Sequence, residues 1–306
     1  MSVDLLTALT ASTITMAVPL LLAALGEVIA ERAGVLNIGL EGMLLSGAFA
    51  ALVVALPTGS TALGVACALA VGAGMGLLLG LFVAHWNANQ VVAGTALNLL
   101  AAGLTGVAYR AVFGVTGAAL TIAGAPVLPI PGAAALPVIG ALFNQTLFGY
   151  AAFAAVPIIG WTLARTLVGL RLRMVGENPS AAETQGVAVR RTRIAALICC
   201  GMLAAAGGAY LSLAYANTFV EGMSAGRGFI ALAIVIVGRR HPVGVMLAAL
   251  FFGFATALQF HFQAMGLHVP FQFFLILPYV MTLLVLAGRV GRATAPAALG
   301  QAYERA

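Results

Sequence analysis

Apolar runs separated by short polar or glycine- and proline-bearing breaks recur along the whole chain. They fall at about 9–30, 38–56, 61–84, 90–109, 147–165, 194–213, 228–238, 243–263 and 270–288. Most reach the roughly 20 residues that a helix needs to cross about 30 Å of hydrocarbon. The seventh, at about 11 residues, is too short for a full crossing. It joins a broken or re-entrant segment over 216–227, where Gly, Ser and Asn suit non-helical backbone that lines a cavity. The pattern predicts an all-α polytopic membrane protein of about nine transmembrane spans (eight to ten), in a single domain over residues 1–306.

A phrase recurs within that pattern. Asn37-Ile-Gly-Leu-Glu41-Gly42-Met43 returns as Asn217-Thr-Phe-Val-Glu221-Gly222-Met223, and eleven of 44 positions agree without a gap between 37–80 and 217–260. Five runs separate the copies, an odd number, so the second copy is expected to cross in the opposite direction. Such an inverted-topology repeat places a binding site near the bilayer midplane, between the halves.

Charge orients the spans. Only 7% of residues are charged and 62% are hydrophobic, against about 25% charged in soluble domains. With the N-terminus outside, the inner loops hold Arg32, Arg165, Arg171, Arg173, Arg190, Arg191, Arg193, Arg239, Arg240, Arg289, Arg292 and Arg305, and the outer ones only Arg110 and Arg227. The positive-inside rule then puts the C-terminus in the cytoplasm. Asp4 and no basic residue precede the first run, so that run is expected to be retained rather than cleaved as a signal peptide. The chain has no lysine, so it holds no phosphate-binding loop of the G-x-x-x-x-G-K-[ST] kind. The arginines lie between apolar runs and not in a patch interleaved with aromatics, which excludes a nucleic-acid surface. Cys67, Cys199 and Cys200 have no metal spacing, and no metal or cofactor is expected on this chain.

Residues 166–193 form the one long inner loop. At its centre Asn178 suits an N-cap, Pro179 the first helical turn, Ser180 with Glu183 a capping box, and Gly186 a C-terminal stop. The spacing predicts a helix of two turns with Ala181 and Ala182 on display for a partner's groove.

Polar groups at membrane depth are candidates for a solute pathway. They are Asn37, Glu41, Asn98, Asn217, Glu221, Gln259 and Gln272, with Phe219 able to stack on a base or sugar face. Each has a plainer reading. The acids can cap broken helices or pair with a neighbour, for example Glu221 with Arg227. The amides can bond between helices, and Phe219 can anchor at the interface. Gly72, Gly76 and Gly80 line one face of the third span and read as close packing.

The Ser-Ala-Ala-x-x-x-Gly run at Ser180–Gly186 resembles the coupling-helix motif of bacterial ABC importer permeases. Glu31-Arg32-Ala-Gly34-Val-Leu-Asn37-Ile-Gly39-Leu-Glu41-Gly42, then Ala88-Asn89-Gln90-Val91 followed by Asn98, and the run from Gly176 to Gly208, are similar to the branched-chain amino acid, ribose and nucleoside permease family. The E-R-x-G-V-x-N-I-G-L-E-G form is most similar to the nucleoside and simple-sugar branch. The resemblance leaves out 111–146 and the last fifteen residues, and His85-Trp86-Asn87 stands where the family carries a basic residue.

The resemblance implies a permease subunit in a bacterial inner membrane and no enzyme activity of its own. A cytoplasmic ATPase partner would use the ATP and grip Gly176, Glu177, Asn178, Pro179, Ala181, Ala182, Glu183 and Gly186. An extracytoplasmic substrate-binding lipoprotein would dock outside, over 111–146. A second permease chain, read as a different chain with a second copy left open, would complete the pore. The solute is expected to be a nucleoside or a simple sugar. The alternative is an ion-coupled secondary transporter with Glu41 or Glu221 as the proton carrier.

Overall fold

The structure is a computed structural model and describes residues 3–114, 122, 124–134, 136–264, 276, 280 and 295–303. Its helices are α1 (Val3–Arg32), α2 (Leu40–Thr58), α3 (Thr61–Gly80, prolonged by a π-type turn over Leu81–His85), α4 (Gln90–Phe113), α5 (Leu147–Arg165), α6 (Leu167–Glu177), α7 (Pro179–Thr184), α8 (Val189–Tyr210, prolonged by a π-type turn over Leu211–Tyr215), α9 (Arg227–Val237) and α10 (Pro242–Ala264). Seven of them are long and apolar enough to cross a membrane. The short seventh run is α9, 11 residues long as predicted. Of the ninth predicted span, 270–288, only Ile276 and Val280 are among the described residues.

Local chemistry sets the helix starts. Ser60, Asn89, Thr166 and Asn178 each accept a backbone N–H of the helix that follows, the preferred way to satisfy a first turn. α2 begins at Gly39 with no side-chain cap of its own. Its donors are met from elsewhere in the chain, as described below.

The core gathers on α1 and α8. α1 packs on α8, α9 and α10, and α8 packs on α1, α2 and α3. Exchanging α1 with α8, α2 with α9 and α3 with α10 returns the same set of neighbours. A side chain at Gly26 would stand 2.8 Å from the Cys200 carbonyl oxygen, and one at Gly207 would stand 2.8 Å from that of Pro19. Lipid tails are as apolar as leucine, so close glycine-mediated contact takes over the work that burial does in water.

Two expectations change. The 166–193 segment is helical for most of its length: α6 fills 167–177, and α8 starts at Val189 rather than near 194. Leu167, Val168 and Leu170 of α6 are exposed beside Arg171 and Arg173, the make-up of a helix lying in the membrane interface. The apolar–basic alternation there was read only as a topology signal. In the 111–146 segment, β1 (Val127–Pro129) pairs antiparallel with β2 (Asn144–Thr146), Val127 opposite Thr146.

Candidate functional site

The sequence-selected polar residues separate into scaffold groups, an exposed ion pair at Glu221 and, at Asn217, a buried oxygen without a partner among the described residues. Glu41, in the first turn of α2, reaches across to α9. Its Oε1 accepts the Gly226 N–H at 2.7 Å and its Oε2 the Gly228 N–H at 2.7 Å. The carboxylate thus caps the positive end of a helix that starts at Gly226 with φ 81° and no side-chain cap. Gly228 cannot carry a side chain, because a Cβ there would overlap the Glu41 backbone. The acid was expected to cap its own broken helix or to pair with a neighbour; the helix it closes belongs to the other half.

Asn98 of α4 and Asn37 complete the start of α2. Asn98 Oδ1 accepts the Gly42 N–H at 2.8 Å and its Nδ2 donates to the Ile38 carbonyl at 2.9 Å. Asn37 is fully buried. Its Oδ1 accepts the Gly39 N–H at 2.9 Å, and its own N–H donates to Glu27 Oε1 at 3.0 Å. Asn98 is met by backbone at both ends, while Asn37 Nδ2 donates to Met43 Sδ at 3.3 Å and Cys200 Sγ at 3.2 Å; both amides bond between elements.

Glu221 corrects two expectations. Its partner is Arg110 at the end of α4, not Arg227, through two bonds of 2.9 Å. The pair is exposed rather than buried in the interior. Arg227 instead donates to the Met223 and Ser224 carbonyls at 2.9 and 3.2 Å. The Arg110 hydrogen bonds hold the Glu221 carboxyl below its ordinary range. A depressed carboxylate contributes above its unfolded value and loses that contribution as pH falls through the folded one, so acid opens this pair. Exposed pairs are screened and weak. Arg110→Gln is expected to leave the thermal midpoint of the purified protein within about 2 °C of the parent; a larger drop in a thermal scan would mean that the pair is structural.

Phe219 is 1% exposed, with ring centroids 5.3 Å from Phe49 and 5.6 Å from Tyr109. Its faces are covered, so it is core here and neither an interfacial anchor nor an open stacking platform. Asn217 has φ 54°. It lies against Gly124, and its Oδ1 is buried with no hydrogen-bond partner among the described residues. Gln259 is buried on α10. Gln272 falls outside the described residues.

A buried cluster at the end of α1 went unread. Glu27 and Glu31 are 0% and 1% exposed. Glu31 pairs with Arg240, Arg32 Nη2 donates to the Arg240 carbonyl at 3.0 Å, and the Cys200 thiol faces Glu27 Oε2 at 3.6 Å. Arg239 and Arg240 sit in the α9–α10 turn with φ 57° and 54°. The signal was available: two acids four residues apart share a helix face, and Glu27 lies inside an apolar run.

Over 178–186 Asn178 Oδ1 accepts the Ala181 N–H at 3.0 Å, Pro179 opens α7, and Gly186 stops it at φ 79°. Ser180 is not the N-cap of a capping box, because Asn178 caps α7 and Ser180 lies within it; Glu183 accepts the Tyr303 hydroxyl. Ala181 is exposed, but Ala182 is 0% exposed. The expected display of both alanines is therefore half right, because they point to opposite sides of a six-residue helix. Gly176 is buried against the Arg32 carbonyl, while Glu177 is exposed. Beside α7 a groove of about 690 Å³ opens between α5, α6 and α8, with Arg171 and Arg191 among its lining residues.

Among the described residues no group of three or more metal-ligating side chains is assembled. The arrangement is that of a polytopic transport subunit, with its acids and amides holding helix ends together. The chain belongs to the family described as branched-chain amino acid transport system / permease component, which it matches over residues 9–286. It is 36% identical to the guanosine ABC transporter permease protein NupQ of Bacillus subtilis over 98% of each chain. It is 37% identical to the putative glucose ABC transporter permease protein TsgC13 of Haloferax volcanii over 96% of each. The guanosine permease NupP, also of Bacillus subtilis, is 28% identical over 79% of this chain and 70% of its own length. The protein is a membrane-spanning ABC transporter permease subunit, a transport component and not an enzyme.

Proposed function

We propose that this subunit imports nucleosides across a bacterial inner membrane. The likeness to NupQ, which runs the length of both chains, carries that reading. Simple sugars are the second substrate class, supported by the equal likeness to TsgC13. The partners are a cytoplasmic ATPase that supplies the ATP chemistry, an extracytoplasmic substrate-binding lipoprotein, and a second, different permease chain. Bacillus subtilis holding two guanosine permeases, NupQ and NupP, supports the last.

The halves 37–80 and 217–260 act as an inverted repeat, for which the exchange of neighbours between α1 and α8 is the support. The solute passes between them, entering where Asn217, Glu221 and Gln259 keep polar groups and leaving past the inner helix. Glu41, Asn37, Asn98 and Phe219 hold the walls. The secondary-transporter reading gains nothing here, because both Glu41 oxygens are engaged by backbone and Glu221 is tied to Arg110.

The N-terminus lies outside and α7 faces the cytoplasm, where the ATPase grips its exposed Ala181 side. Ala181→Cys tests orientation and coupling together. The thiol is expected to react with a membrane-impermeant maleimide only in inverted vesicles, and a bulky adduct is expected to cut uptake by about tenfold or more. Labelling in intact cells, or full uptake by the labelled transporter, would remove the assignment. Guanosine uptake by reconstituted transporter, with ribose as competitor, tests the substrate. Ribose carried in preference to guanosine would turn the reading to sugars.

A further inference from the structure

We infer that residues 295–303 form a strap that sets the position of α7, with Tyr303 as its positioning residue; this deepens the reading of α7 as the transmission helix and rests on it.

α7 cannot hold its own place. It has six residues and one buried side chain, Ala182, far below the roughly 12–15 residues at which an isolated helix becomes marginal in water. Its position depends on what Ala182 rests against. That small apolar cluster consists of Val175 at the end of α6, Val189 at the start of α8, and Tyr303. Tyr303 is 7% exposed, and its hydroxyl donates to Glu183 on α7. The ring therefore shares one cluster with the buried side of the helix, and its hydroxyl holds the next residue.

The strap is itself fastened at several points on different elements. The Ala298 N–H donates to the Gly176 carbonyl at 2.9 Å, and the Gly300 N–H to the Gly34 carbonyl at 3.2 Å. The Ala297 N–H donates to Glu177 Oε2 at 3.3 Å. Arg193 Nη1, on an α8 side chain that is 1% exposed, donates to the Gln301 carbonyl at 2.9 Å. These bonds tie the loop after α1, the end of α6 and the start of α8 to one short segment. Gly34 lies at its centre with φ 79°, its missing side chain giving room to Arg193 Nη2 and the Ala298 carbonyl at 3.2 and 3.3 Å. A push on the exposed side of α7 is thereby passed to the ends of three other helices instead of bending a free loop.

The test joins hydrogen exchange on the permease in lipid discs with the ATP hydrolysed per solute carried by the whole transporter. Tyr303→Ala is expected to speed exchange over 178–187 about tenfold and to raise ATP used per solute about threefold or more, with the ATPase still bound. A protein that merely folded less well would lose assembled complex but keep that ratio. Unchanged exchange overturns the strap, and faster exchange with an unchanged ratio overturns the positioning role. Should Tyr303→Ala fail to assemble, Tyr303→Phe decides: it keeps the ring on Ala182, loses only the hydroxyl, and is expected to raise exchange about threefold, so no rise overturns the proposal. If the Ala181→Cys adduct leaves uptake intact, the reading of α7 fails, while exchange still reports the strap.

Discussion

Glu41→Ala is expected to lower the stability of the permease by about 3 kcal/mol or more, because two charge-assisted bonds to backbone donors vanish together. The Gly226 and Gly228 N–H groups lie in the first turn of α9, beside a part-buried carboxylate, and nothing on α9 itself caps them. Removing the carboxylate leaves both donors without that acceptor and the helix dipole without its counter-charge. The thermal midpoint of the protein in lipid discs is expected to fall by about 8 °C. Glu41→Gln keeps one acceptor oxygen and no charge, so roughly half the fall is expected. An alanine variant that melts with the parent would show that Glu41 is free for another task, and the proton-carrier alternative would return.

Gly201→Ala is the second large effect. Gly72 and Gly76 of α3 and Gly201 of α8 bring backbone against backbone, and a methyl on Gly201 would overlap the Gly72 carbonyl oxygen. Backbone cannot turn aside as a flexible side chain can, so the helices must separate. Overpacking of this kind costs about 3 kcal/mol, and the lost contact is dispersion, which is what holds helices together in lipid. Gly74→Ala and Gly103→Ala meet nothing within 4 Å. They are expected to be neutral or slightly stabilising, since alanine is the better helix former. Melting curves of the three variants decide the matter: a Gly201 variant as stable as the other two would mean that the α3–α8 contact is looser than its geometry implies.

The membrane-length helices were legible because apolar run length is a strong, local signal, and α9 was legible as short for the same reason. The caps at Asn178 and the stop at Gly186 could be read because they depend on neighbours a few residues away. Partners distant in sequence could not. Nothing in the order of residues says that Glu41 closes α9, that Glu221 finds Arg110 rather than Arg227, or that Ala182 and Glu183 meet Tyr303. α6 was missed because its arginines were counted as a topology signal before its apolar residues were placed on a face. Glu27 and Glu31 carry no local mark of their partners, because Cys200 and Arg240 stand 173 and 209 residues away.

The length of α9 has a consequence for permeation. Eleven residues rise about 16 Å, roughly half the hydrocarbon thickness. The turn that precedes it carries exposed Val220, Glu221 and Gly222, with Glu221 paired to Arg110 in the last turn of the membrane-length α4. On the proposed import route, α9 walls about half of the hydrocarbon that a polar solute must pass. Under that proposal a small tilt of one short helix moves its whole length at once, where a helix of full span would have to pivot between both interfaces.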